Sequence, residues 1–225
     1  MAFDTKTFKT RTLTAIIFAV VMLAGLLWNQ WSFILLFILI HFGCWYEFVR
    51  LINKINPAFF KSVISLGLFY ITLPVLLILL MGTNSLSGID EGFPRALPCG
   101  IIFSIWINDT MAYLVGSFIG KNPMSKISPK KTWEGTIGGI ILCVIVIVLI
   151  GNATGSYSLQ SWIIISLFCG VFGTFGDLLE SKIKRMASVK DSGSLMPGHG
   201  GFLDRFDSLL IAIPFVFLYY YFFIR

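Results

Sequence analysis

Between residues 173 and 208, Asp177, Glu180, Asp191, Asp204 and Asp207 are interleaved with Lys182, Lys184, Arg185, Lys190 and Arg205. On a helix, Asp177, Glu180, Ser181 and Lys184 fall at i, i+3, i+4 and i+7 and share one face. Asp204 and Asp207, at i and i+3, can look into the same cavity from the start of the next helix, with Arg205 beside them. Between the two groups, Gly198, His199, Gly200 and Gly201 form a backbone with little side-chain bulk, which permits close approach to a ligand. Carboxylates at two helix ends with a ring of cations suit phosphoryl or nucleotidyl transfer. Asp oxygens hold Mg²⁺, and the cations offset charge that builds on the leaving group. Such chemistry needs no side-chain nucleophile. His199 alone would more often be structural, and the lysines alone would be headgroup anchors; their density among acids and glycines argues for a site.

A second set of residues lies upstream. The segment 117–135 places Gly, Pro and Lys where a helix cannot continue, so it reads as a structured basic loop. Lys130, Lys131 and the hydroxyls of Ser128 and Thr132 can cradle phosphate oxygens. Glu134 and Gly135 then open a helix whose N-terminus favours anions. The competing reading, a positive-inside anchor, stands level with this one on composition alone. Just before the loop, Asp109 lies within an apolar span, where a carboxylate costs about 2.5–3.5 kcal/mol on insertion scales. Its spacing to Tyr113, Gly116 and Gly120 puts all four on one helix face directed at the basic loop, which predicts a cavity-lining role.

The elements that must position these residues are membrane helices. With 56% apolar, 16% aromatic and 12% charged residues, the chain has too little polar surface for a soluble globule. Runs of about 20 apolar residues are long enough to cross about 30 Å of hydrocarbon. Seven are predicted, near 12–28, 31–50, 62–82, 96–118, 136–151, 161–178 and 208–224, the fifth being short. Trp28 and Trp31 flank Asn29 and Gln30, predicting a tight hairpin with interfacial anchors. With the N-terminus inside, fifteen of the seventeen Lys and Arg residues fall in cytoplasmic segments, leaving only Arg95 and Arg225 outside. Adding or removing one helix would invert every later loop, so the charge bias supports the topology. The expected fold is therefore an all-α polytopic bundle of about seven transmembrane helices. It forms one membrane domain over 1–225, with its catalytic region at 96–210 and its polar cavity near the inner leaflet. The net charge of +6 follows from the same bias and points to anionic membrane lipids, with no nucleic-acid motif accompanying it. Cys44, Cys99, Cys143 and Cys169 lack CxxC spacing and read as buried small hydrophobes. The first apolar run lacks an A-x-A-type cleavage site and reads as a membrane helix.

The 27 ungapped residues Ser181–Asp207, which include MPGHGGFLDRFD, resemble the C-terminal signature of phosphatidate cytidylyltransferases, or CDP-diacylglycerol synthases. Asp109-Thr-Met-Ala-Tyr113 and Ile127-Ser-Pro-Lys-Lys-Thr-Trp-Glu-Gly135 are similar to that family's upstream block, in order and orientation. The resemblance covers roughly 104–210, and the chain is short for the family. It implies transfer of CMP from CTP to phosphatidate, giving CDP-diacylglycerol and pyrophosphate, with Mg²⁺ and with room for a second, monovalent cation. It further implies Asp177 and Asp204 as leading metal ligands with Asp207 next, and Lys184, Arg185, Lys190 and Arg205 as phosphate-binding groups. Asp191 and His199 belong to the site without an assigned role. Ser128, Lys130, Lys131, Thr132 and Glu134 fall on the nucleotide side, and Asp109, Glu180, Gly200 and Gly201 are grouped with them. A homodimer and a bacterial-type inner membrane, with the site facing the cytoplasm, complete the expectation. One departure is Ser117, where the family commonly has a cation; Lys121 is the proposed substitute. Two alternatives stay open: a CTP-dependent polyprenol or phytol kinase, and a transporter or lipid-binding protein. The nearly bare outer halves of the spans argue against the last.

Overall fold

The structure, a computed structural model, describes residues 5–56, 60–83, 94–194 and 200–225. Its helices are α1 (Thr5–Leu27), α2 (Gln30–Ile55), α3 (Phe60–Gly67), α4 (Leu73–Gly82), α5 (Ala96–Ile119), α6 (Trp133–Thr154), α7 (Leu159–Met186) and α8 (Leu203–Tyr219). A π-helical turn, Leu68–Thr72, joins α3 to α4, so these two make a single pass. Six passes, from Gln30–Ile55 to Leu203–Ile224, are long and apolar enough to cross a membrane, and α1 adds the shorter apolar stretch Thr12–Leu27. No strand occurs among the described residues. The chain is a multi-pass membrane protein of about seven helical passes, as expected.

Each boundary has a local cause. At the α1–α2 hairpin, Asn29 Oδ1 accepts from Ser32 N at 2.8 Å and Ser32 Oγ accepts from Asn29 N at 3.1 Å, a reciprocal cap that starts α2. Trp28 and Trp31 flank it, 74% and 79% exposed, as interfacial anchors should be. The fifth pass is longer than the sequence predicts. Thr132 caps α6, accepting from Gly135 N at 3.1 Å, and the helix runs on until Gly155 turns left-handed at φ 64°. The sixth continues as a helix past its apolar part to Met186, where Ser188 takes φ 55° and Val189 N reaches back to Lys184 O at 2.9 Å.

Small residues set the closest packing, as lipid supplies no hydrophobic force between helices. On α6, Gly135, Gly139, Cys143 and Ile147 form the buried stripe, while Ile137, Ile141, Ile145 and Leu149 form an exposed one, each at steps of four. A Cβ on Gly139 would fall within 2.8 Å of the Ala112 backbone, so α5 and α6 touch almost directly. Helix α8, last in sequence, packs against α2, α4, α5 and α7. It accordingly buries Leu203, Phe206, Leu209, Leu210, Ala212, Ile213 and Val216. Its first two turns carry Asp204 and Asp207, so this packing places two acids inside the bundle.

Candidate active site

Three carboxylates meet where α7 and α8 approach. One oxygen each of Asp177, Glu180 and Asp207 lie within 4.8 Å of one another. Asp177 and Glu180 share a face of α7 as their spacing predicts, and Asp207 comes from α8. The approach depends on Gly176, because a Cβ there would run into the Asp207 carbonyl and the Ser208 backbone. Glu180 is fully buried. Its carboxylate forms an ion pair with Lys184, one turn further along α7. Asp207 Oδ1 accepts from Ser208 N at 2.7 Å, and Asp177 receives Ser181 Oγ at 3.3 Å.

Beside this cluster is a cavity of about 530 Å³. Its α5 wall carries Asn108, Asp109, Tyr113 and Ser117, its loop wall Lys130, Lys131 and Thr132, and its α7 wall Thr174 and Asp177. Asp109 thus lines a cavity, as its spacing predicts. Lys131 forms an ion pair with Asp177, tying the basic loop to the carboxylate cluster. Lys130 and Lys131, rather than Lys121, share the cavity with Ser117. On the far side of Asp109 a groove of about 410 Å³ is lined by Thr110 and Arg205 together with apolar Phe18, Ala19 and Trp106.

The remaining expected residues are dispersed. Asp204 lies one turn before Asp207 but binds elsewhere: Oδ1 accepts from Lys184 Nζ at 2.6 Å, and Oδ2 accepts from Gly201 N at 2.7 Å and Ser192 N at 2.9 Å. It organises the segment before α8 and holds Lys184. Arg185 Nη1 donates to Val189 O at 3.0 Å, closing the end of α7. Lys190 and Asp191 are exposed on the following turn. Glu134 accepts from Lys121 N, Asn122 N and Asn122 Nδ2, the last at 2.6 Å, so it fixes the start of the basic loop. Ser128 O accepts from Lys131 N at 3.1 Å within the same loop. Gly200 adopts φ 83° against Asp204, and Gly201 packs on Glu47. His199 lies outside the described residues.

A family model described as the Cytidylyltransferase family matches residues 70–223. The chain belongs to that family. Among similar proteins, the phosphatidate cytidylyltransferase of Bacillus subtilis is 45% identical over 117 residues, covering 50% of this chain and 43% of that protein. That of Haemophilus influenzae is 42% identical over 130 residues, covering 55% and 45%. Phosphatidate cytidylyltransferase 5, chloroplastic, of Arabidopsis thaliana is 48% identical over 115 residues, covering 51% and 28%. The matched stretch is less than half the length of each of these relatives.

Within this cytidylyltransferase-family chain, two residues of the polar network were not foreseen from the sequence. Glu47 of α2 is buried and accepts from Phe202 N and Leu203 N at the start of α8, and from Ser192 Oγ. Ser192 Oγ lies between Glu47 and Asp204. The signal for Glu47 was present: it is a carboxylate inside an apolar span, the same anomaly that marks Asp109. Nothing distinguished Ser192 from its neighbouring serines.

Proposed function

We propose that this chain is a phosphatidate cytidylyltransferase, forming CDP-diacylglycerol and pyrophosphate from CTP and phosphatidate. The observation that carries the reading is the Asp177–Glu180–Asp207 cluster beside a cavity also lined by Lys130 and Lys131, the latter paired with Asp177. The donor set fits Mg²⁺: all three candidate ligands are carboxylate oxygens, gathered within 4.8 Å of one another, which is what a hard cation takes. Asp177, Glu180 and Asp207 would hold the ion, which when bound would neutralise phosphate charge at the reacting centre.

The chain's own residues then have defined tasks. Lys130, Lys131 and Thr132 receive the CTP phosphates from the loop side of the cavity, with Lys131 exchanging part of its pairing with Asp177 for phosphate. Lys184, held by Glu180 and Asp204, keeps a positive charge beside the carboxylates. Arg205, in the groove behind Asp109, takes the phosphatidate phosphate, while Phe18, Ala19 and Trp106 leave an apolar path for its acyl chains. A phosphatidate oxygen forms the new bond to the α-phosphorus of CTP, and the bond from that phosphorus to the β-phosphate bridging oxygen breaks. Pyrophosphate leaves with the electron pair. Catalysis is then alignment and charge neutralisation. The basic loops lie on the cytoplasmic face of a bacterial-type inner membrane, where CTP is available.

The test supplies purified protein with phosphatidate, or with an added lipid alcohol as acceptor, and CTP labelled separately at the α and γ phosphates, with and without Mg²⁺. Mg²⁺-dependent entry of the α label into lipid, with release of labelled pyrophosphate, is expected. Transfer of the γ label to a lipid alcohol would replace this reading with a kinase, and no labelling of any acceptor would leave transport or binding.

A further inference from the structure

Glu47 precedes the stretch covered by the family model, yet it touches the signature segment on both of its sides. Its side chain is 3% exposed. Oε1 accepts from Phe202 N at 3.0 Å, and Oε2 accepts from Leu203 N at 2.9 Å and Ser192 Oγ at 2.6 Å. The segment is shaped around this carboxylate. A Cβ on Gly193 or on Gly201 would collide with the Glu47 oxygens, closer than real Cβ atoms come. The N–H groups at the start of α8 are donors that no earlier helical turn satisfies, and a buried carboxylate is compensated there by hydrogen bonds and the helix field together.

The contacts continue to the proposed reaction centre. Ser192 Oγ also lies 2.9 Å from Asp204 Oδ2, and Ser192 N donates to that same oxygen. Asp204 Oδ1 accepts from Lys184 Nζ, and Lys184 pairs with Glu180 of the carboxylate cluster. We infer that Glu47 is a positioning residue: by holding residues 192 and 202–203 it fixes Asp204, and through Asp204 it keeps Lys184 against the Asp177–Glu180–Asp207 cluster. This rests on the functional reading of that cluster given above. Glu47 itself touches neither the cluster nor the cavity; it acts through Ser192 and Asp204. Replacement by Gln would put an amide N–H against backbone N–H groups, releasing one side of the segment at nearly constant volume.

The experiment compares wild type, Glu47→Gln, Ser192→Ala and, as a control on the exposed face of α2, Tyr46→Phe. Two quantities are read. The first is amide hydrogen exchange of a peptide covering 190–204, which needs no substrate. The second is the Mg²⁺ concentration for half-maximal CDP-lipid formation, with turnover and the CTP KM. Glu47→Gln is expected to speed exchange of the peptide about tenfold. It should raise the Mg²⁺ midpoint by about tenfold, as loss of a group that orients metal ligands does. Its unfolding midpoint should stay within a few degrees of wild type, which a general loss of packing would not allow. Ser192→Ala should move both readouts in the same direction by less, and Tyr46→Phe neither. Wild-type exchange in Glu47→Gln, or faster exchange with an unchanged Mg²⁺ midpoint, overturns the inference. If Glu47→Gln fails to accumulate in membranes, Ser192→Ala decides by the same two readouts. If wild type makes no CDP-lipid, the functional reading fails instead; Mg²⁺-induced protection of the same peptide, present in wild type and lost in Glu47→Gln, then decides the role of Glu47.

Discussion

Asp204 and Asp207 stand one helical turn apart and do different work. Both oxygens of Asp204 are committed to Lys184, Ser192 and Gly201, whereas Asp207 joins Asp177 and Glu180. The two acids therefore predict different phenotypes. Asp207→Asn should lower turnover at least about 100-fold and raise the Mg²⁺ requirement, since one donor of the cluster becomes a neutral amide. A titration of activity against Mg²⁺ checks this. Asp204→Asn should also abolish turnover, but with faster exchange of the 190–204 peptide, because it releases the loop that Asp207→Asn leaves in place. Ser117 gives the opposite kind of test. It is exposed on the α5 wall of the cavity that Lys130 and Lys131 also line, and its hydroxyl donates to Tyr113 O of its own helix. Ser117→Arg should be tolerated and should lower the CTP KM by adding a third cation to that cavity; severe loss of activity would show the cavity has no room for it.

Helix pairs carry the next level of the argument. Asp207 reaches the cluster because Gly176 lets α8 lie against α7 with no side chain between them. Gly176→Ala should push the helices apart locally, cutting turnover more than it lowers the unfolding midpoint. Packing losses from one methyl group in a tight contact amount to about 1–3 kcal/mol, within what a large bundle survives. Thermal unfolding in detergent alongside the CTP assay separates the two effects. Helix type and approximate extent were legible in the sequence, since apolar length and period act locally. The sequence predicts too short a fifth pass because the capped ends of α6, at Thr132 and Gly155, lie in polar sequence that hydropathy discounts.

For the molecule as a whole, the charge bias predicts which ends of the helices face which compartment, and the structure provides a clean way to test it. All four native cysteines are buried, so one added cysteine should report alone. In intact cells Ser156→Cys, in the exposed α6–α7 connection, should react with a membrane-impermeant maleimide. Lys126→Cys, in the exposed basic loop, should react only after permeabilisation. The reverse pattern would invert the topology.

Composition and patterning determined that the chain lives in lipid, where its helices run and which segments hold the clustered acidic and basic residues. These are properties of short stretches, and each follows from residues within about 20 positions of one another. The sequence also put Asp177 and Glu180 on one face, because both lie on a single helix. Which acids converge was decided by tertiary structure: choosing Asp207 over Asp204 depends on how α8 rotates against α7. The Glu47 contacts join residues 145–156 positions apart. No local pattern records such a pairing, since it exists only once α2 and the start of α8 are packed together.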